Sequence, residues 1–548
     1  MADALPATPA SRRRPGPGGA FLLVLATLVT AHMPVVVGMG YAPWNAEVLL
    51  SLAALAGVAA LAAALLYRVP LLLHVFACFW VYWALDAYLP DTAVTRSLAW
   101  AMALTGTDLQ PTTWQWLLCL LPPAVVVVLL STRVADNVRA MLLTFACVWS
   151  LGLWWSPDRA LLQDDTPAAV PAPAPATTAA ALRPLLHIIL DEQTSIRALT
   201  AALPPDHPAQ RIAADYLDRG FDYHAQVGAP SGRTQKSLAA TMELDETPQP
   251  EHLHNHHRQR FRHTMPENRY FATLQALGYR VHVVQSSFLR LCPPDSPAHC
   301  QSYLFGKTGP VGPHLQATPA SRLAVLVLEL HRAYTHPDAY PVRAYAALYA
   351  TLQRWNLDQS YEYVYYSNPV AALNLMAGLE QRMRAIAPGE AHVVHLLMPH
   401  FPYMTRPDCS IKPLAAWSSP NRHLAPGEAP RPLPQLERDY WDQAACTHRR
   451  VLALIDQARA ASPLDPIVIV HGDHGPRLQS SYDNLDSTDA GDSDLLATFV
   501  AVHDRPAGPR QAGVERGERQ SLPAVFGAFV ARLQTTAAAA VRPAAQQP

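Results

Sequence analysis

The sequence predicts a chain of two kinds: an N-terminal region of five transmembrane helices, then an α/β domain whose mostly parallel sheet is sandwiched by helices. Three observations predict it. Five apolar stretches, each close to the ~20 residues that cross a bilayer as a helix, crowd into the segment that ends at Trp155. Beyond Trp155, short branched runs of strand length alternate with longer stretches of helical spacing. Such alternation predicts parallel strands joined by helical crossovers.

The apolar stretches are Ala20–Met39, Trp44–Tyr67, Pro70–Leu89, Trp114–Ser131 and Val138–Trp155. Arg12, Arg13 and Arg14 before the first give it the look of a signal peptide, but four more follow it. Trp44, Trp114, Trp154 and Trp155 sit at span edges, as interfacial tryptophans do. Arg12–Arg14, Arg68, Arg133 and Arg139 fall in alternate loops, whereas the other loops hold Arg96 with Asp91 and Asp108. The positive-inside rule then places the N-terminus in the cytoplasm and everything after five crossings outside it. His74 and Asp86 are ionisable groups within the third span, with Asp86 near its outer end.

Lys and Arg total 42 against 43 Asp and Glu, a net charge of −1, so nothing electrostatic favours nucleic acid as a partner. Cys78, Cys119 and Cys147 lie in the spans as small packing residues. Cys292, Cys300, Cys409 and Cys446 lie in the exported part, an even number in an oxidising space. Cys292 and Cys300 bracket a Pro-rich loop that a bridge closes easily, which leaves Cys409 with Cys446; the alternative is four unrelated thiols.

The boundaries that follow are 1–156 for the spanning region, 157–183 for an Ala/Pro-rich spacer, 184–535 for the exported domain and 536–548 for a frayed tail. Within the domain, Leu185–Leu190, Tyr279–Val284, Ala391–Met398, Pro466–Val470 and Ala497–Val502 read as buried strands. Helical spacing runs through "ENRYFATLQALG", "SRLAVLVLELHRAY", "NLMAGLEQRMRAI" and "DQAACTHRRVLALIDQARA". The second of these reads as core packing, with membrane docking as the alternative.

Active sites of parallel sheets collect beyond the carboxyl ends of the strands. There the chain places Asp191, Glu192 and Thr194 after "LLHIIL", His400 and Tyr403 after "AHVVHLLM", and His471, Asp473 and His474 after "PIVIV". Carboxylates and imidazoles converging on one rim suit one divalent metal ion, zinc or manganese. Gly472 and Gly475 let the backbone turn so that Asp473 and His474 point at that ion. His187 and His395 lie inside apolar runs and read as hydrogen-bonded strand residues; His471 reads as a bystander or a partner of the ligands. The His-rich segment His252–His263 reads as a solvated basic loop rather than a second metal site.

Four motifs in this order, "HIILDE", "SGRTQKSLAATM", "HLLMPHFPY" and "VIVHGDHG", resemble the sulfatase/alkaline-phosphatase superfamily. Within it the chain is similar to the membrane-bound branch of lipoteichoic acid synthases, phosphoglycerol transferases and phosphoethanolamine transferases. The resemblance implies an alkaline-phosphatase-like fold with an extracytoplasmic catalytic domain on a bacterial inner membrane. It implies Thr234 as a metal-bound nucleophile, with Asp191 or Glu192, Asp473 and His474 completing the coordination. It further implies that His400 holds a substrate phosphate oxygen and that Arg290 grips the phosphate. Cys409 and Cys446 resemble a bridge pair of the phosphoethanolamine branch. Metal coordination is one way to activate a threonine hydroxyl, and the same ion can withdraw charge from a phosphoryl group.

The expected function is transfer of a phosphoglycerol or phosphoethanolamine head group. The donor is a membrane phospholipid, the acceptor an envelope glycan or lipid, and the route runs through phospho-threonine. The second choice is a hydrolase of the same fold, and the third a silent domain that binds an envelope polymer. Sulfatase chemistry is disfavoured because "GAPSGRT" lacks the C/S-x-P-x-R pattern; Ser231 remains a competitor to Thr234.

Overall fold

The computed structural model describes residues 17–38, 40–42, 44–66, 162–164, 182–196, 203–255, 261, 263–303, 310–312, 314–335, 368–421, 430–478, 493–505 and 511–541. The chain divides into two compact units, Met1–Arg159 with Leu330–Tyr361, and Ala160–Glu329 with Glu362–Pro548.

In the first unit, helices α1 (Pro17–Gly38) and α2 (Ala46–Leu66) form a hairpin. Ala20, Val24 and Leu28 pack on Ala59 and Ala63, where small side chains let the backbones approach. His32 Nε2 pairs with Ser51 Oγ at 3.0 Å across the hairpin. The expected five-helix membrane region is corrected here. Among the described residues one helix, Ala46–Leu65, is long and apolar enough to cross a membrane. The stretches Pro70–Leu89, Trp114–Ser131 and Val138–Trp155 lie outside the described residues, as do His74 and Asp86.

Among the described residues the second unit holds twelve strands: β1 (Leu162–Asp164), β2 (Leu185–Asp191), β3 (Asp222–Gly228), β4 (His254–Asn255), β5 (His263–Thr264), β6 (Arg280–Ser286), β7 (Leu289–Arg290), β8 (His299–Tyr303), β9 (Glu390–Pro399), β10 (Ile467–Gly472), β11 (Ala497–His503) and β12 (Glu515–Ser521). Between and after them run α3 (Ile212–Leu217), α4 (Thr234–Glu243), α5 (Arg269–Ala276), α6 (Pro319–Thr335), α7 (Asn368–Met383), α8 (Leu433–Ala461), α9 (Ser493–Leu496) and α10 (Leu522–Val541). Helix α6 runs on past Glu329 into the first unit.

Nine strands form one sheet in the order β1-β8-β6-β9-β2-β10-β11-β3-β12. The run β8-β6-β9-β2-β10 is parallel throughout, and β1 and β11 are antiparallel to their neighbours. Three residues of the expected spacer thus form an edge strand. Alternate strand residues feed two cores. On one face Leu186, Ile188, Leu190, Val394 and Val470 meet Tyr216 of α3, Leu379 of α7 and Tyr440 of α8. On the other, Leu185, Ile189, Val283, Val393 and Ile469 meet Leu238 of α4, Phe271 of α5 and Phe526 of α10. Fully buried parallel strands need apolar residues on both faces, which is why these segments read as unbroken apolar runs. The expected disulfides are both present: Cys292–Cys300 and Cys409–Cys446, with Cα atoms 6.6 and 5.0 Å apart.

Candidate metal centre at the sheet rim

Strands β2 and β10 lie side by side in register, Leu190 opposite Gly472, so both chains leave the sheet at the same level. Asp191 ends β2 and Asp473 follows β10 directly. Glu192 takes a left-handed backbone, φ 61°, which an L residue adopts only when its surroundings hold it there. Two contacts do so: its N–H donates to Asp473 Oδ1 at 2.8 Å, and its carbonyl accepts from the Tyr440 hydroxyl at 3.0 Å. Gly472 and Gly475 matter through close approach rather than through a special φ. A Cβ would lie 2.1 Å from the Gln193 carbonyl at the first and 2.2 Å from the Asp494 carbonyl at the second.

The donors converge. Asp191, Asp473 and His474 each place a ligand atom so that all three lie within 4.8 Å of one another, and all three side chains are buried. His474 Nδ1 donates to the Gly475 carbonyl at 2.8 Å, which fixes the tautomer and leaves Nε2 as the lone-pair nitrogen facing inward. That nitrogen is 3.4 Å from Asp473 Oδ2 and 3.1 Å from Thr234 Oγ1. Thr234 opens helix α4, and its hydroxyl also reaches Asp191 Oδ1 at 3.5 Å. Ser237, one turn on, donates to the Asp473 carbonyl at 2.6 Å and so docks the helix start on the rim.

Electrostatics make this a strained arrangement without a cation. Burial, and then the neighbouring Asp473 and Glu192 carboxylates, push the Asp191 carboxyl well above the usual carboxylate range, against the pull of Arg477. Asp473 Oδ1 accepts from the N–H groups of Glu192 and His474, both at 2.8 Å. Its Oδ2 is buried with no hydrogen-bond partner among the described residues. A buried carboxylate oxygen with no donor is costly, and beside a second carboxylate and an imidazole lone pair it fits a divalent cation. These residues form a candidate metal-ion cradle.

Glu192 sits apart from that group. It pairs with the buried Arg477 guanidinium, and His400 Nε2 lies 3.8 Å from its Oε1. Despite burial, Glu192 holds the Arg477 guanidinium above its ordinary range. The structure therefore brings Asp191 rather than Glu192 into the cradle, and Glu192 joins His400 to it. Burial depresses His400, with Glu192 opposing. Its Nδ1 donates to the Phe401 carbonyl at 2.7 Å, and Gln443 clamps the turn by donating to the carbonyls of Pro399 and His400 at 3.1 and 2.8 Å.

Other expected residues fall elsewhere. Arg290 stacks its guanidinium 5.4 Å from the Phe261 ring centroid, and its described contacts are not with the cradle. Ser231 accepts from the Arg233 N–H at 3.2 Å, a local turn contact, whereas Thr234 faces the cradle. His471 turns away from the ligands to pair with His187, Nε2 to Nε2, at 2.8 Å. The described part of the His-rich segment forms a small sheet in which His263 Nδ1 pairs with Asn255 at 2.6 Å.

Two site residues escaped the sequence reading. Arg477 lies three positions after His474, and a basic residue so close to a buried Asp-His pair was a usable signal. His395 was read as a hydrogen-bonded strand residue, yet neither ring nitrogen has a hydrogen-bond partner among the described residues. Its Nε2 lies 3.9 Å from Asp191 Oδ2. No signal in the apolar run around it marked that position.

No protein-family model matches the chain, and neither does any curated protein sequence. Solved structures do align with it at low identity. The C-terminal periplasmic domain of EptC from Escherichia coli, in complex with zinc, is 14% identical over 66% of this chain and 85% of that chain, with a TM-score of 0.36. The phosphonate monoester hydrolase of Agrobacterium radiobacter is 13% identical over 64% of this chain and 74% of that chain, with a TM-score of 0.36. The lipoteichoic acid synthase LtaP from Listeria monocytogenes is 12% identical over 66% of this chain and 74% of that chain, with a TM-score of 0.30. Similarity at this level establishes neither activity nor substrate.

Proposed function

We propose that the chain is a metal-dependent transferase that moves a phospholipid-derived phospho head group onto an acceptor hydroxyl of an envelope glycan or lipid. The observation that carries it is the Thr234 hydroxyl, 3.1 Å from His474 Nε2 and 3.5 Å from Asp191 Oδ1 at the start of a helix. Asp191, Asp473, His474 and Thr234 would hold the ion, which as zinc or manganese supplies Lewis-acid polarisation of a phosphoryl oxygen and lowers the pKa of a hydroxyl.

The residues divide the remaining work. His474 has one lone pair and would give it to the ion, whereas the Asp191 carboxylate has two oxygens, so it would take the Thr234 proton through Oδ1, 3.5 Å away, while still serving as a ligand. The Thr234 oxygen forms a bond to phosphorus as the bond from phosphorus to the glycerol oxygen of the donor breaks. Diacylglycerol leaves with a proton, and the head-group phosphodiester stays on Thr234. An acceptor hydroxyl then attacks the same phosphorus, and the threonine oxygen departs and regains its proton. The N-terminus of α4 favours negative charge on that oxygen throughout. His400 donates through Nδ1 to Phe401, so its Nε2 can grip a phosphate oxygen only as imidazolium. Substrate charge and Glu192 both favour that form. The membrane-length helix Ala46–Leu65 supports a membrane-attached chain and a lipid donor.

The test is a labelled mixture of phosphatidylethanolamine and phosphatidylglycerol with metal-loaded protein. Transfer predicts diacylglycerol and a modified acceptor in equal amounts. Release of free phosphoethanolamine or glycerol phosphate with the acceptor unmodified identifies a hydrolase instead.

A further inference from the structure

A second group of ligating side chains lies at the opposite strand ends of the same sheet, on β6, β8 and β9. On β8, β6 and β9 the register sets His299 opposite His282 and His282 opposite His392, a row of three imidazoles across adjacent strands. The next row towards the strand starts sets Arg280 opposite Glu390. His392 lies ~23 Å along the strand from Pro399 at the usual rise, so this row is remote from the rim.

We infer that His282, His392 and Glu390, with His299 within reach, form a second site for a zinc-class divalent cation. Their ligand atoms all lie within 4.8 Å of one another. Glu390 stands between the two imidazoles, its Oε2 3.1 Å from His392 Nε2 and its Oε1 4.0 Å from His282 Nε2. Ligands about 2.0–2.1 Å from a tetrahedral zinc are ~3.3 Å apart, so the cluster closes on an ion by small side-chain rotations. The His282 and His392 rings already stack in parallel, 4.9 Å apart and 14° from coplanar, and the His299 ring lies 5.6 Å from His282.

Two further observations point to a ligand. His282 Nε2 is buried and has no hydrogen-bond partner among the described residues, although it faces a carboxylate. Glu390 is also oriented from behind: the Ala387 N–H donates to its Oε2 at 3.1 Å, the kind of outer contact that positions a metal-binding carboxylate. Arg280 is the competitor, 3.1 Å from Glu390 Oε1, but its side chain is half exposed and can yield to solvent. Two imidazoles and a carboxylate suit zinc better than magnesium or calcium.

The test titrates zinc alone into the full-length chain after chelator treatment, with bound metal counted by mass spectrometry. Four proteins are compared: wild type, Asp473→Ala/His474→Ala, His282→Gln/His392→Gln and the combination. The expected counts are two, one, one and none. The inference is overturned if Asp473→Ala/His474→Ala retains no zinc, or if its zinc survives the added histidine changes. A wild type with one zinc, lost only with the histidine pair, supports this site and sinks the rim site. Glu390→Gln preserves shape and guards against misfolding; it weakens the second zinc at least about tenfold, and unchanged affinity contradicts the inference.

Discussion

The two ends of the parallel strands carry similar side chains in opposite circumstances. At the carboxyl ends, Asp191, Glu192, Asp473 and His474 are buried, locked by backbone donors and one left-handed residue. At the amino ends, Glu390, His282 and His392 are part-exposed, and water shares in solvating them. The difference teaches that ligand chemistry alone does not make a reactive centre. The rim gathers three buried carboxylates against the one buried guanidinium paired with them, an imbalance that a cation relieves and that a nucleophile beside it can use. The far end offers ligands, but among the described residues no hydroxyl pairs with Glu390, His282 or His392.

Asp473→Asn is the strongest way to break the comparison. It removes a ligand, so head-group transfer falls on the order of 10³-fold or more, as when a member of a catalytic unit is lost. The metal-free protein, relieved of a buried charge, gains about 1–3 kcal/mol in urea unfolding. Glu390→Gln at the other end works the opposite way and costs the metal-free protein about 1–3 kcal/mol, because, against burial, the His392 and Ala387 N–H contacts hold that carboxyl down at about 2. A destabilised metal-free Asp473→Asn protein would mean that the rim carboxylates are already compensated.

The disulfides extend the contrast between buried and exposed control. Cys409–Cys446 spans 37 residues and Cys292–Cys300 spans 8. Loop-closure entropy predicts losses of about 4 and about 2.5 kcal/mol on Cys→Ala replacement of each pair, read by denaturant unfolding. The longer bridge also ties the segment after His400 to α8, so its loss lowers transfer more than that of the shorter one.

A further contrast concerns acid. Burial pushes the His448 imidazole down to about 3, and its Nδ1 pairs with the Tyr216 hydroxyl at 3.1 Å. A histidine with a depressed folded pKa gives its full contribution above about pH 6.5 and loses it as pH falls, because the unfolded chain binds the proton first. The stability gap between wild type and His448→Gln therefore narrows by about 2 kcal/mol from pH 7 to pH 5. A constant gap would assign His448 a packing role alone.

Much of the second unit was legible in the sequence because its central strands are buried on both sides and carry unbroken apolar runs. β3 and β12 were not, since Asp222–Gly228 mixes polar and apolar residues and Glu515–Ser521 is a largely exposed, charged edge. Asp191, Asp473 and His474 were legible as polar residues placed just where apolar strands stop. The choice between Asp191 and Glu192 was not, because it depends on a left-handed turn held by contacts from distant Asp473 and Tyr440. His395 was hidden by its apolar neighbours, and Arg290 was expected at a phosphate but lies over Phe261. The five-span expectation is not met among the described residues, where one helix is long and apolar enough to cross a membrane.

The central claim is that Thr234 carries the transferred group. Intact and peptide mass spectrometry of metal-loaded protein, quenched after exposure to head-group-labelled phospholipid without acceptor, tests it most directly. The account predicts a phosphodiester head-group adduct on Thr234 in wild type and no adduct in Thr234→Ala. An adduct on Ser231, or an undiminished one in Thr234→Ala, contradicts it.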